Sequence, residues 1–522
     1  MKKLITILLI LTMTFSLFVG CGNEQKKASS DVDIAYYAYS SEPILNWDPS
    51  VMFSNGVVVL NNVYETLLRF DPGTKEFIPV LATEYSSSED GLTWNFKLRE
   101  GVKFHDGSDF TAEDVKYSIE RTMALGQGAS YIWFAVDTID VVSDYEVQLN
   151  LMYPSAMDLA AACPYAAFMM PTEIADKPDN WFEGGNEIGT GPYVLESNSM
   201  GDEVILSSYA DYWQPWSDNQ FEKVIFKKTT ETSSRRQMIE KGEADIVSEL
   251  PSEDIEALKD NANVVVESVP SFTNLLGMFN TEKAPLNDVN VRKALSYAFP
   301  YNDVVDYAAG GYASQSTGVV PEGMWGHSEE LMQYNLDLEK AKSLLEEAGY
   351  GEGELKLLLT YMSGDEVEKK AAELYKAELS KIGVDLEIRG MNWESQWELS
   401  MATNPDDRQD IFFIYWWPDI ASPYSWMYSL FHTEESILFN LSYYSNETVD
   451  GLIDEASGLG GTNIEKAEQL FVEAQEIILD EAAALFTIDK TVQWVQNPTF
   501  KGFVDNPAYP RVIFFYDCYR EK

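Results

Sequence analysis

Apolar and polar residues alternate along 92–98, where Leu92, Trp94, Phe96 and Leu98 are separated by Thr93, Asn95 and Lys97. A period of two predicts a strand with one buried face. Turn signals bound it, Asp90-Gly91 before and His105-Asp106-Gly107 after. Residues 31–39 (DVDIAYYAY), 193–196, 264–269, 354–359, 384–388 and 512–515 read as further strands. Elsewhere the period is helical. Thr111 and Asp114 form a capping-box variant that opens a helix to about Met123, with Val115, Ile119 and Met123 on one face. Residues 337–348 start at the cap Asp337, carry Leu338, Ala341 and Leu345 on one side, and stop at Gly349. Residues 365–382 repeat that design up to Gly383, and 463–479 space Ile464, Ala467, Phe471, Ala474 and Ile478 as one apolar face. Val63, Leu67 and Leu68 give 61–70 helical spacing too. The strand–helix–strand order across 354–388 predicts a parallel βαβ unit. The fold class is α/β.

One stretch mixes both kinds of signal with chemistry, 410–426 (DIFFIYWWPDIASPYSW). Its start, Ile411 to Tyr415, is a buried-strand pattern, and Pro418 ends the strand because it has no N–H for a ladder. Asp419 follows Trp416, Trp417 and Pro418. A carboxylate beside indoles can hold an organic cation through charged hydrogen bonds and ring faces. Taken alone, the stretch reads equally as a strand end with core tryptophans and a solvated acid.

With 522 residues, 45% of them hydrophobic, the chain is long enough for two or three domains. A formal net charge of −48 argues against partners such as nucleic acid or anionic lipid. Residues 1–20 read as a secretory leader, with Lys2-Lys3 ahead of an apolar run that is short for a membrane span. Gly20-Cys21 looks like the lipobox of bacterial lipoproteins, in which the cysteine is acylated; Phe18 stands where that motif usually has Leu. Residues 21–30 then form a lipid-anchored tether. Cys163 and Cys518 are the other cysteines, and the sequence leaves open whether they pair. No Cys/His cluster has metal-ligand spacing, so neither metal nor cofactor is expected.

Several blocks together resemble the extracellular solute-binding proteins of family 5, the peptide/nickel group that serves ABC importers. Asn62-Val63-Tyr64-Glu65, Ser88-Glu89-Asp90-Gly91, 96–107 (FKLREGVKFHDG) and 111–118 follow that family's pattern. Gly189-Thr190-Gly191-Pro192-Tyr193, Gly242-Glu243-Ala244-Asp245, 291–299 (VRKALSYAF) and 340–350 (KAKSLLEEAGY) continue it. The resemblance implies a two-lobed, periplasmic-binding-protein-like clamp (type II, class C) with an extra inserted domain. Carried onto this chain, lobe I is 31–50, 191–275 and 495–522; the inserted domain is 51–190; lobe II is 276–494. Hinge segments are expected near 272–280 and 487–494.

In peptide-binding members the strand that ends W-x-x-D lies in the cleft, and its Asp takes the ligand's α-ammonium. Trp416-Trp417-Pro418-Asp419 matches residue by residue, so the resemblance implies that role for Asp419. The family often continues Y-x-D-P; here Ile420-Ala421-Ser422-Pro423 lacks the second acid. The expected ligand-binding residues are Asp419, Trp416, Trp417 and Tyr415, with Tyr39, Ser40, Ser41 and Glu42 as the facing edge for a peptide added as a strand. The implied function is capture of short peptides and delivery to an ABC permease/ATPase complex. The protein would be a monomer, anchored by lipid to the outer face of the cell membrane.

Two other readings stand beside this one. Five of the 13 tryptophans lie between Trp393 and Trp426, as a stacking surface for an oligosaccharide would need, although Trp393 and Trp397 share one helix face and read as packing. A glycosidase-like enzyme is the remoter alternative; with 85 acids, chance carboxylate pairs carry no weight, and no catalytic residue is assigned.

Overall fold

The computed structural model describes residues 33–41, 43–44, 46–52, 54–199, 201–434 and 437–521; the leader 1–20, the tether with Cys21, and Glu42 lie outside them. β1 (Ile34–Tyr39) is followed by a hairpin, β2 (Leu68–Asp71) and β3 (Glu76–Pro79). Next come β4 (Ala82–Ser87), β5 (Thr93–Leu98), β6 (Val136–Ser143) and β7 (Glu146–Leu151). β8 (Tyr193–Ser199), β9 (Glu203–Ser208), β10 (Lys223–Lys228), β11 (Ile246–Val247) and β12 (Val265–Phe279) follow. The last of this set are β13 (Ala313–Gln315), β14 (Lys356–Met362), β15 (Asp385–Met391), β16 (Ile411–Trp416) and β17 (Ala484–Gln496).

Eleven of these strands make one long sheet in the order β15-β14-β16-β12-β17-β11-β1-β10-β9-β8, with β13 beside β17. β4, β5, β7 and β6 form a separate antiparallel sheet. The alternation in 92–98 is realised in β5, whose Trp94, Phe96 and Leu98 are buried. At the middle of the long sheet, β12 and β17 run antiparallel from Val265 opposite Gln496 to Met278 opposite Ala484. The register breaks between Pro270 and Asn274, where proline has no N–H to give.

On one side of that centre, β14 and β15 are parallel and flank the helix Glu366–Lys381, as a βαβ unit requires. Asp365 caps this helix by accepting from the Val367 and Glu368 amides, and Gly383 follows at φ +77°. A core of Leu275, Phe279, Leu295, Phe299, Tyr375 and Phe413 joins these elements.

The motif blocks bind distant parts of the chain together. His105 contacts Glu187 through Nδ1 at 2.6 Å and the Gly191 carbonyl through Nε2 at 2.9 Å. The Gly191 and Tyr193 amides donate to the Val63 and Asn62 carbonyls. Asn62 Nδ2 donates to the Ile513 carbonyl, and the Phe515 amide donates to Asn62 Oδ1. The Glu65 carboxylate accepts from Tyr212 and Trp213, and burial pushes its carboxyl up to about 7.

These contacts correct two expectations. Residues 61–70 are not a helix: a short helix, Val57–Leu60, ends there, and β2 begins at Leu68. Carbonyls that a helix would use internally are taken by Gly191 and Tyr193. Residues 512–515 are not a strand, since the Phe515 amide goes to a side chain and Phe515–Asp517 is a 3-10 turn. One residue leaves its expected face: Ile464 is exposed, whereas Leu338 packs half-buried against the core. Cys163 and Cys518 are both buried free thiols, which closes the question of their pairing.

Candidate functional site

β16 carries Ile411 to Ile414 into the core and brings Tyr415 and Trp416 half-buried to its end, paired with Leu275 and Asn274 of β12. The strand ends at Trp416, ahead of Pro418. The Trp416 indole N–H donates to the Ser425 carbonyl at 2.7 Å, and its ring meets Phe439 edge-on at 5.3 Å. Trp416 is therefore a fixed wall. Trp417 is 46% exposed and keeps a free face. On its other side β16 is paired to β14 only at Ile411 and Phe412, so from Phe413 to Trp416 no strand is paired there among the described residues.

The turn then sets down Asp419, half-buried. Its carboxylate accepts from the Tyr131 hydroxyl, and its backbone carbonyl accepts from the Cys163 thiol at 3.1 Å. Both partners come from the part of the chain between β5 and β8. Burial raises the Asp419 carboxyl above the usual range, and the Tyr131 bond offsets part of that. The same closeness pushes the Tyr131 phenol far up, by burial and by the Asp419 charge. Among the described residues no cation pairs with Asp419. A desolvated carboxylate without a cation is costly, and an ammonium arriving from solution would recover that cost.

The exit from β1 carries the residues expected on the facing edge. Tyr39 is fully buried, stacks on Tyr37 at 4.6 Å, and its carbonyl accepts from the Thr229 amide. β1 is paired to β10 as far as Tyr39, opposite Lys228, while on its other side the pairing to β11 covers only Tyr37 and Ala38. Beyond it, the Ser40 amide donates to Glu249 at 2.9 Å, and the Ser40 hydroxyl bonds the same carboxylate. Arg511 pairs with Glu249 at 3.0 Å and reaches the Ser41 hydroxyl at 3.4 Å. Burial alone would raise the Glu249 carboxyl; the Arg511 charge and the Ser40 bonds hold it below the usual range. Glu249 and Arg511 both have left-handed backbones, φ +60° and +65°.

Of the other tryptophans, Trp393 and Trp397 pack on each other at 5.3 Å, and Trp426 is fully buried with its N–H on Asn274 Oδ1. The five do not line up as one stacking surface.

Sequence reasoning missed Tyr131, Glu249, Arg511 and Lys490. The first three carry no local signal. Lys490 carries one: it interrupts the alternation Ile488, Val492, Trp494 in β17.

This is the mixed α/β fold of the periplasmic binding proteins. It aligns with HbpA2 from Haemophilus parasuis at a TM-score of 0.83 and 24% identity, covering 94% of this chain and 100% of that one. It aligns with DppA from Helicobacter pylori, solved in complex with the peptide STSA, at 0.78 and 25% identity, covering 94% and 98%. The chain belongs to the bacterial extracellular solute-binding proteins, family 5, whose middle-region model matches residues 76–437. It is a solute-binding protein of the ABC-transporter peptide/nickel family, and that family is not enzymatic. Among curated relatives, "Probable D,D-dipeptide-binding periplasmic protein DdpA" of Escherichia coli K12 is 31% identical over 480 residues, 89% of this chain and 90% of that protein. Among the described residues no helix is long and apolar enough to cross a membrane.

Proposed function

We propose that this protein captures short peptides between two lobes and delivers them to an ABC permease/ATPase complex, with Asp419 taking the peptide's α-ammonium. The observation that carries this is the Asp419 carboxylate: half-buried, raised in pKa by burial, and without a paired cation among the described residues. The Phe413 carbonyl accepts from Gln396 Nε2 at 3.2 Å, but beyond it no strand pairs with Tyr415 and Trp416 on that side of β16 among the described residues, which supports strand addition of the peptide backbone there. The peptide in the Helicobacter pylori relative and the dipeptide named for the Escherichia coli relative point the same way. Trp417 would cover the ligand, and Ser40 and Ser41 would face it. The lobes follow the partition 31–50 with 191–275 and 495–522, 51–190, and 276–494. A lipid on Cys21, after loss of 1–20, would hold the protein at the outer face of the cell membrane.

The test is calorimetry with di- to tetrapeptides, free and N-acetylated. A charged hydrogen bond contributes roughly 1.5–3 kcal/mol, so acetylation is expected to weaken binding by about tenfold or more. Equal affinity for both forms would remove Asp419 from this role. Tight binding of a neutral oligosaccharide with no peptide binding would transfer the site to sugars.

A further inference from the structure

Away from Asp419, a cavity of about 290 Å³ opens between residues 61–69, β3, the turn after β9 and the C-terminal segment 509–517. Neither Asp419, Tyr131 nor Trp417 lines it. Its size is near the lower end for small-molecule sites. Six aromatic rings stand around it: Tyr64, Tyr212, Trp213, Tyr509, Phe514 and Tyr516.

These rings are held in place by each other and by the backbone. Tyr212 meets Tyr516 edge-on at 4.9 Å, and Tyr509 meets Phe514 edge-on at 5.4 Å. The Tyr516 hydroxyl donates to the Pro215 carbonyl at 2.8 Å, and the Tyr509 hydroxyl donates to the Ala162 carbonyl. A wall fixed beforehand loses little freedom when a ligand arrives.

Glu65 belongs to this wall and is only 8% exposed. The Tyr212 hydroxyl donates to it at 2.9 Å, and the Trp213 indole N–H is shared between its two oxygens at 3.1 and 3.2 Å. Both donors are neutral. Among the described residues no basic group stands within 4.0 Å of this carboxylate. Arg69, the base in the lining, is engaged elsewhere: it pairs with Asp517 at 3.3 Å and lies over the Phe514 ring, 4.4 Å from its centroid. With Glu65 and Asp517 set against Arg69, the ionised lining is net negative.

Burial outweighs the hydrogen bonds and pushes the Glu65 carboxyl up to about 7. A cation entering the cavity would offset that desolvation, and the ring faces would add to the attraction. A bare metal ion lacks further ligands, because among the described residues no group of three His, Cys, Asp or Glu could hold one. An organic ammonium needs a single carboxylate and buries its apolar body against the rings.

We propose that this cavity is a second ligand site, which takes a small organic ammonium with Glu65 as its counter-ion. The proposal does not rest on the peptide reading of the Asp419 cleft.

The test is calorimetry with phenethylammonium and, as its neutral counterpart, phenethyl alcohol. The proteins are the parent, Glu65→Gln, Tyr516→Leu and Asp419→Asn, each checked for cooperative melting. Glutamine keeps an acceptor for Tyr212 and Trp213, so Glu65→Gln removes the charge and little else. The parent is expected to bind the ammonium about tenfold or more tighter than the alcohol. Glu65→Gln should erase that preference, Tyr516→Leu should weaken the ammonium, and Asp419→Asn should bind it as the parent does. A further readout needs no variant. Pairing lowers the Glu65 pKa, so binding to the parent should release a proton below about pH 7 and almost none well above it. Titrations in buffers of different ionisation enthalpy measure that release. Ammonium binding weakened by Asp419→Asn and untouched by Glu65→Gln would overturn the proposal and move the ligand to the cleft. Equal affinity for ammonium and alcohol would overturn it, as would no binding to the parent at millimolar concentration.

Discussion

The Tyr131 hydroxyl donates to the Asp419 carboxylate across 288 positions of sequence, and it is the side-chain bond that holds that acid in place. It also makes the ionised form of Asp419 less unfavourable than burial alone would. Removing it should raise the Asp419 carboxyl further. In a Tyr131→Phe protein, the pH midpoint below which an amine-terminated peptide dissociates is expected to move upward. Calorimetry across pH on parent and variant would show it; an unmoved midpoint would detach Tyr131 from the site.

The parent should show a related pH dependence. Ammonium binding needs the carboxylate ionised, and the folded-state pKa of Asp419 lies above the ordinary value. Affinity should therefore be full at neutral pH and fall as pH drops through a midpoint above 3.8. Asp419→Asn should bind about tenfold or more weakly at neutral pH and lose this acid limb.

Glu368 offers a stability readout away from Asp419. Its folded pKa is about 8 against an ordinary 4.5, so between those values the native state binds a proton that the unfolded chain does not. Its contribution to stability then falls as pH rises through that window, with a limiting slope of about 1.4 kcal/mol per unit. A glutamine can still accept the Met362 amide. Glu368→Gln should therefore gain on the parent progressively from pH 4.5 to 8 in thermal melts, and a constant offset would contradict the buried carboxyl.

Gly189 tests the clasp between motif blocks. A Cβ there would lie 1.9 Å from the Val63 carbonyl oxygen, backbone that cannot swing aside. Gly189→Ala should lose about 3 kcal/mol or more in urea unfolding. Gly451, in the helix Glu447–Leu459, has nothing within 4 Å of its Cβ position. Gly451→Ala should be neutral or gain up to about 1 kcal/mol.

Much of this architecture was legible in one dimension. The alternation of 92–98 became β5, and the caps Asp337 and Asp365 each accept from an amide at the start of their helix. Those signals are local, because a strand's faces and a helix's first turn are settled by neighbours within four residues. The same locality explains the two misreadings. Asn62 and Val63 surrender their carbonyls to Gly191 and Tyr193, and Phe515 gives its amide to Asn62, partners that no local window contains.

The motif Trp416-Trp417-Pro418-Asp419 marked where a carboxylate would emerge, and the strand that ends just before it is there. That this carboxylate meets Tyr131 and Cys163 rather than a cation was decided only by tertiary structure. So was the crossing of Glu249 with Arg511, and the position of Lys490 over Tyr415. The sequence determined which groups exist and on which element each is carried. Their desolvation and pairing depend on what the folded chain brings within a few ångströms, because charge interactions and hydrogen bonds act through space and not along the backbone.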